Sequence, residues 1–188
     1  MAHIVLFHSV YGRRPAVIAA AERLRAAGHH IRVPDLYAGE TADRIDEAFV
    51  LRDRVGEELI VRRAREALRD LPADAVLAGF SMGAGIAQRL LLERPDAAAL
   101  LLLHGTAEAP ALLPDGLPVQ LHVAEDDEFE PAGDLAVWQK GMVAAGADVE
   151  LFIYPDAGHL YTDPQLPDHE PAAAALTWRR ALDFLASV

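Results

Sequence analysis

The sequence predicts an α/β domain: a mostly parallel sheet with helices on both faces. Three observations carry this expectation. Short apolar runs alternate with segments of helical period along the whole 188-residue chain. Those runs are continuous and rich in Val, Leu and Ile, as suits strands buried on both faces. Glycine, proline and aspartate punctuate the pattern where it changes period. No internal repeat, low-complexity tract or linker interrupts it, so residues 1–188 are expected to form a single domain.

The elements follow in order. His3-Ile4-Val5-Leu6-Phe7-His8 is the first strand, ending in the loop Ser9-Val10-Tyr11-Gly12. Pro15 to Ala27 places Val17, Ile18, Ala21 and Leu24 at helical spacing, with Gly28 as the stop. His30-Ile31-Arg32-Val33-Pro34 is the second strand, closed by Pro34-Asp35-Leu36-Tyr37. Thr41 to Leu71 is charged, with scattered apolar residues that fit one or two amphipathic helices over a site. Its five arginines from Arg52 to Arg65 suit a solvated face better than an anion site. Ala75-Val76-Leu77-Ala78 is the third strand, and Ala84 to Leu92 the helix beyond it. Ala97 to Leu103 and Pro118 to Ala124 supply two more strands, joined by a loop too short to divide domains. Leu135 to Ala145 is helical and Val149 to Tyr154 is the last strand. Ala172 to Ala186 closes as a helix with Leu176, Leu182 and Leu185 on one side and Trp178 as a packing residue.

Composition narrows the function. Seventeen basic against 29 acidic side chains give a net charge of −12, and no basic stripe with interleaved aromatics occurs. Nucleic acid is therefore not an expected partner, and the acidity reads as solubility. The absence of cysteine removes disulfides, thiolate metal sites and a cysteine nucleophile. The amino terminus enters an apolar strand directly, without the basic region and cleavage site of a signal peptide. Ala97 to Leu103, the longest apolar stretch, is far short of a membrane span. A cytoplasmic protein with no membrane partner is expected.

In open parallel sheets, functional residues gather beyond the carboxyl ends of the strands. Those ends hold His8, Ser9, Asp35, Ser81, His104, Asp126, Asp127 and His159. Ser81 lies in Gly79-Phe80-Ser81-Met82-Gly83, between a strand and a helix. In such a sharp turn, a side chain at either glycine would collide with neighbouring backbone. A serine nucleophile needs a base, and the base needs a carboxylate to fix its tautomer and stabilise its cation. Asp126 or Asp127, followed by His159, supplies these in the order Ser, Asp, His, each at a separate strand end. Adjacent aspartates point in different directions, so only one reaches the histidine. The backbone N–H groups of Val10 and Met82 are the expected oxyanion donors. Tyr11, Arg13, Arg14, Tyr37 and Tyr161 are candidates to line the entrance and contact substrate. His104 and His122 read as packed histidines satisfied by backbone carbonyls, and His3, His29, His30 and His169 as surface residues.

These features resemble the dienelactone hydrolases, a branch of the α/β hydrolases. The shared features include the early oxyanion-loop strand, the Pro34-Asp35-Leu36-Tyr37 segment and the glycine-flanked nucleophile. An acidic turn, Ala124-Glu125-Asp126-Asp127-Glu128-Phe129-Glu130-Pro131, and the loop from Tyr154 to His159 complete the likeness, which covers nearly the whole chain. The resemblance implies a minimal α/β-hydrolase fold without a separate cap domain, and Asp127 as the acid by its position relative to Phe129 and Pro131. Three positions depart from the family pattern. Ser81 stands where the family typically has cysteine, and Ser9 where it tends to carry a glutamate that manages a reactive thiol. Leu160-Tyr161-Thr162-Asp163 lacks the arginine that holds a substrate carboxylate. Residues and resemblance together imply a serine hydrolase acting on a small carboxylic ester or lactone, without metal or organic cofactor. A non-catalytic binding protein on the same fold, and acyl transfer through the same serine, are the alternatives.

Overall fold

The computed structural model describes residues 1–188. Its strands are β1 (His3–Phe7), β2 (His30–Arg32), β3 (Val76–Phe80), β4 (Leu100–Leu103), β5 (Leu117–Ala124) and β6 (Ala147–Tyr154). The helices are α1 (Pro15–Ala26), α2 (Ile45–Val55), α3 (Glu57–Leu68), α4 (Met82–Leu91), α5 (Ala132–Ala144) and α6 (Pro171–Ser187). One sheet contains all six strands in the order β2-β1-β3-β4-β5-β6, and every neighbouring pair is parallel.

The continuous apolar runs resolve into two cores because successive side chains of a strand point to opposite faces. Ile4, Leu6, Val76, Ala78, Phe80, Leu101 and Leu103 face one side, where α1 and α6 cover them. Val5, Phe7, Leu77, Leu100 and Leu102 face the other, under α2, α3, α4 and α5. Both faces of β3 and β4 are thereby buried, and the half-buried Ser81 follows the carboxyl end of β3.

One open alternative is resolved and two local expectations change. The segment from Thr41 to Leu71 forms two helices because Gly56 breaks it, at φ +86°, a left-handed conformation that disfavours other residues. β2 stops at Arg32, just before Val33-Pro34, where proline has no N–H to continue a ladder. In α6 the buried stripe is Ala174, Thr177, Trp178, Ala181 and Leu185, with Leu176 and Leu182 only half-buried. Leu176 and Leu182 lie roughly 120° apart around a helix and cannot share one narrow face. No helix is long and apolar enough to cross a membrane.

Candidate active site

β3, β4, β5 and β6 are consecutive neighbours, so the loops after them meet at one edge of the sheet. Ser81 follows β3 directly at φ 48° and ψ −111°, a strained conformation for a residue with a side chain. The turn is enforced by close backbone approach. A Cβ on Gly79 would lie 2.2 Å from the Gly83 carbonyl, and one on Gly83 would lie 2.4 Å from the Phe7 oxygen and 2.5 Å from the His8 oxygen. Gly83→Ala is therefore expected to destabilise the fold by about 3 kcal/mol, read as a lower urea midpoint. A wild-type midpoint in that variant would mean that the β1 loop yields freely.

Ser81 Oγ lies 2.8 Å from His159 Nε2, and His159 Nδ1 lies 2.6 Å from Asp127 Oδ2. An ionised carboxylate only accepts, so Nδ1 carries the ring proton and the Nε2 lone pair faces the serine hydroxyl. The Asp127 side chain is fully buried, and its other oxygen accepts from the Phe129 N–H at 2.9 Å. Asp126 is exposed and makes no hydrogen bond to the histidine. The His159 loop is pinned from below: Leu160 N–H donates to Asp168 Oδ2 at 3.1 Å, and Gly158 packs where a Cβ would lie 2.9 Å from the Asp168 Cα.

The loop after β1 passes beside the elbow. The Val10 N–H donates to no acceptor in the molecule, and Met82 is the first residue of α4, whose N–H has no partner within the helix. His8 holds this loop in shape. Its Nδ1 donates to Ser9 O at 2.7 Å and its Nε2 accepts from the Leu36 N–H at 3.0 Å, while Tyr11 N–H donates to Ser9 Oγ at 3.3 Å.

Burial holds His8 neutral, pulling its pKa from 6.5 down to about 4. His122 is lowered to about 3 by burial, and His104 is held well below its ordinary value by burial and by the neighbouring His159 and His122. The unfolded chain takes up these protons near pH 6.5 and the folded one only at lower pH. Stability is thus fully present above pH 6.5 and is lost as the pH falls toward 4. His8 alone accounts for about 3 kcal/mol of that loss. Melting temperatures measured from pH 7.5 to 4 will fall through this window, and a flat profile would contradict neutral burial.

The other sequence candidates are placed as follows. Tyr11 lines a cleft of about 560 Å³ together with Asp127 and His159. Arg13 is exposed and pairs with Asp35 at 3.4 Å. Arg14 is buried, bonding Ala42 O at 2.8 Å and Asp163 at 3.2 Å, so it ties loops together instead of lining an entrance. Two tyrosines expected at the entrance are fully buried. The Tyr37 hydroxyl donates to Met82 Sδ at 3.4 Å, and Tyr161 shares a 2.8 Å hydrogen bond with Thr177. Each phenol tip finds a partner inside, which lets the whole ring leave water.

The packed histidines also differ in detail. His122 is satisfied by the side chains of Tyr154 and Gln120, at 2.8 Å each. His104 Nε2 meets Thr162 Oγ1 at 2.7 Å, and its Nδ1 has no partner. His29 is buried and accepts from the Ala2 N–H at 3.3 Å, contrary to a surface position. His3 and His30 are exposed, and His169 is half-buried with Nδ1 on Tyr161 O.

Ser81 and His159 open into a cleft of about 610 Å³ roofed by the break between α2 and α3. Phe129, Glu130, Thr106 and Arg52 line it, and sequence reasoning gave none of them a role. Phe129 follows the acidic turn closely, and its ring lies 4.6 Å from the His159 ring. The adjacency of Phe129 and Glu130 to Asp127 was the available signal; Thr106 carried none, and Arg52 was read with its neighbouring arginines as part of a solvated face. No group of three or more His, Asp or Glu side chains is arranged to hold a metal ion.

The fold agrees with comparisons to known proteins. A carboxymethylenebutenolidase of Rhodococcus opacus is 26% identical over 204 residues, spanning 96% of this chain and 79% of that protein. A dienelactone hydrolase-like promiscuous phosphotriesterase from metagenomic libraries superposes with a TM-score of 0.83 at 17% identity, covering 100% of this chain and 86% of the other. A Xanthomonas campestris protein assigned to the alpha/beta superfamily of hydrolases gives 0.69 at 26% identity, with both chains fully covered. The six-stranded parallel sheet with its flanking helices is the α/β-hydrolase fold, and no separate cap domain is evident. The sequence profile of the dienelactone hydrolases matches residues 1–188, and the chain belongs to the dienelactone hydrolase family.

Proposed function

We propose that residues 1–188 form a single-domain serine hydrolase that cleaves a small carboxylic ester or lactone through an acyl-enzyme. The observation that carries this reading is the continuous relay from Ser81 Oγ through His159 to the buried Asp127, with links of 2.8 and 2.6 Å. His159 Nε2 takes the hydroxyl proton as Ser81 Oγ attacks the acyl carbon, and Asp127 stabilises the imidazolium that results. The N–H groups of Val10 and Met82 hold the oxyanion of the tetrahedral intermediate. His159 then returns its proton to the leaving alkoxide, and water repeats the sequence on the acyl-enzyme to release the acid and restore Ser81. Membership of the dienelactone hydrolase family, with the likeness to a carboxymethylenebutenolidase, supports ester and lactone bonds as the target.

The test is covalent labelling. A fluorophosphonate will form one adduct, mapped by mass spectrometry to Ser81, and labelling will abolish hydrolysis of a short-chain nitrophenyl ester. An adduct elsewhere, or turnover that survives full labelling, would reject the reading.

A further inference from the structure

Besides His159, five ionisable side chains line the cleft in front of Ser81: Arg52, Asp53, Glu57, Arg89 and Glu130. Four of them cancel in pairs. Arg52 meets Asp53 at 2.6 Å and Arg89 meets Glu57 at 3.0 Å, with Arg52 half-buried and the other three side chains largely exposed. Glu130 has no cationic partner. It is half-buried, and its two oxygens accept from the Thr106 N–H at 2.9 Å and the Thr106 hydroxyl at 2.8 Å. Neutral donors orient a carboxylate without cancelling its charge.

This clamp is built onto the nucleophile. Gly105, which precedes Thr106, lies so close to the elbow that a Cβ there would fall 2.7 Å from the Ser81 Cα. A Cβ on Gly85 of α4 would fall 3.2 Å from the Thr106 oxygen. The Glu130 carboxylate is thus held in register with Ser81 by two tight backbone contacts. It has about four acceptor positions, of which Thr106 takes two. Beside it, the exposed ring of Phe129 lines the same cleft and offers a face on which a cation can rest. Burial raises the Glu130 pKa, while the Thr106 hydrogen bonds pull it back toward the charged form.

We propose that Glu130 is a specificity-determining residue: a fixed, uncompensated carboxylate beside Ser81 that disfavours esters bearing a carboxylate and favours those bearing an ammonium group, with neutral esters between. The proposal rests on Ser81 being the nucleophile and names the substrate class of that same cleft.

Three nitrophenyl esters of equal acyl length, ending in methyl, carboxylate or trimethylammonium, test it. The wild-type protein will show kcat/KM in the order ammonium, neutral, carboxylate, with about tenfold between the outer two, equivalent to about 1.4 kcal/mol. Glu130→Gln keeps the shape and can keep hydrogen bonds to Thr106, and it will bring that ratio close to one. Glu130→Met, which removes charge without adding a polar group, will do the same if the glutamine variant is unstable. Raising salt will compress the wild-type ratio and leave the variants' ratio flat. A purely structural glutamate would lower all three rates together and leave the ratio unchanged, which would overturn the proposal, as would a wild-type preference for the carboxylate ester. Fluorophosphonate labelling run alongside separates the failures. A labelled Ser81 with an unchanged ratio removes only the role of Glu130, whereas an unlabelled Ser81 removes the nucleophile and the proposal with it.

Discussion

Ser81→Ala will lower kcat on a short-chain nitrophenyl ester by at least about 10⁴-fold and leave the melting temperature near that of the wild type. The size follows from the proposed mechanism. Without Oγ no acyl-enzyme forms, and only substrate binding and the oxyanion donors remain to assist water. The mild effect on stability follows from the site. The hydroxyl makes one hydrogen bond, to His159 Nε2, and alanine at φ 48° carries the same backbone strain as serine. Steady-state rates and a thermal melt on one preparation decide the matter. A variant that retains more than a few per cent of wild-type turnover would remove Ser81 from the chemistry.

Asp127→Asn will cost about 10⁴-fold in kcat, while Asp126→Asn will stay within about twofold of wild type. Asp127 works through charge and through acceptance. An asparagine amide can present its N–H₂ to Nδ1, and the imidazole then turns its proton toward Ser81, where a lone pair is needed. The buried carboxylate also balances the imidazolium, which a neutral amide does not. Asp126 faces solvent one residue earlier and makes no hydrogen bond to the His159 ring. Equal losses in the two variants would mean that the turn, and not one carboxylate, sets activity.

Much of this arrangement is written locally in the chain. Continuous apolar runs require strands covered on both faces, and the strand-end rule then points to Ser81, to Asp126 or Asp127, and to His159 without knowledge of how the loops travel. The Gly79 and Gly83 spacing is legible because its cause is steric and lies within a few residues. What the chain does not show locally is the direction of side chains in loops. Tyr37 and Tyr161 look like rim residues by position, yet each finds a distant partner, Met82 or Thr177, that allows complete burial. The Glu130 clamp joins the turn after β5 to the loop after β4 and exists only once those strands are neighbours. The break at Gly56 is a related case. One glycine in a long charged segment fits either a tolerated helical residue or a stop, and packing over the cleft decides.

The order of strands across the sheet has a consequence for how the protein comes into being. Ser81 leaves the ribosome well before His159, and His159 stands where it does only after β6 has paired with β5 at the sheet's edge. Parallel pairing closes long loops and is slow compared with local helix formation. For the whole interval in which the growing chain is open to the cell, its serine is therefore an ordinary alcohol. On the proposed chemistry the last strand arms the first residue of the relay, and a chain that has not yet paired β6 with β5 lacks the base at its serine.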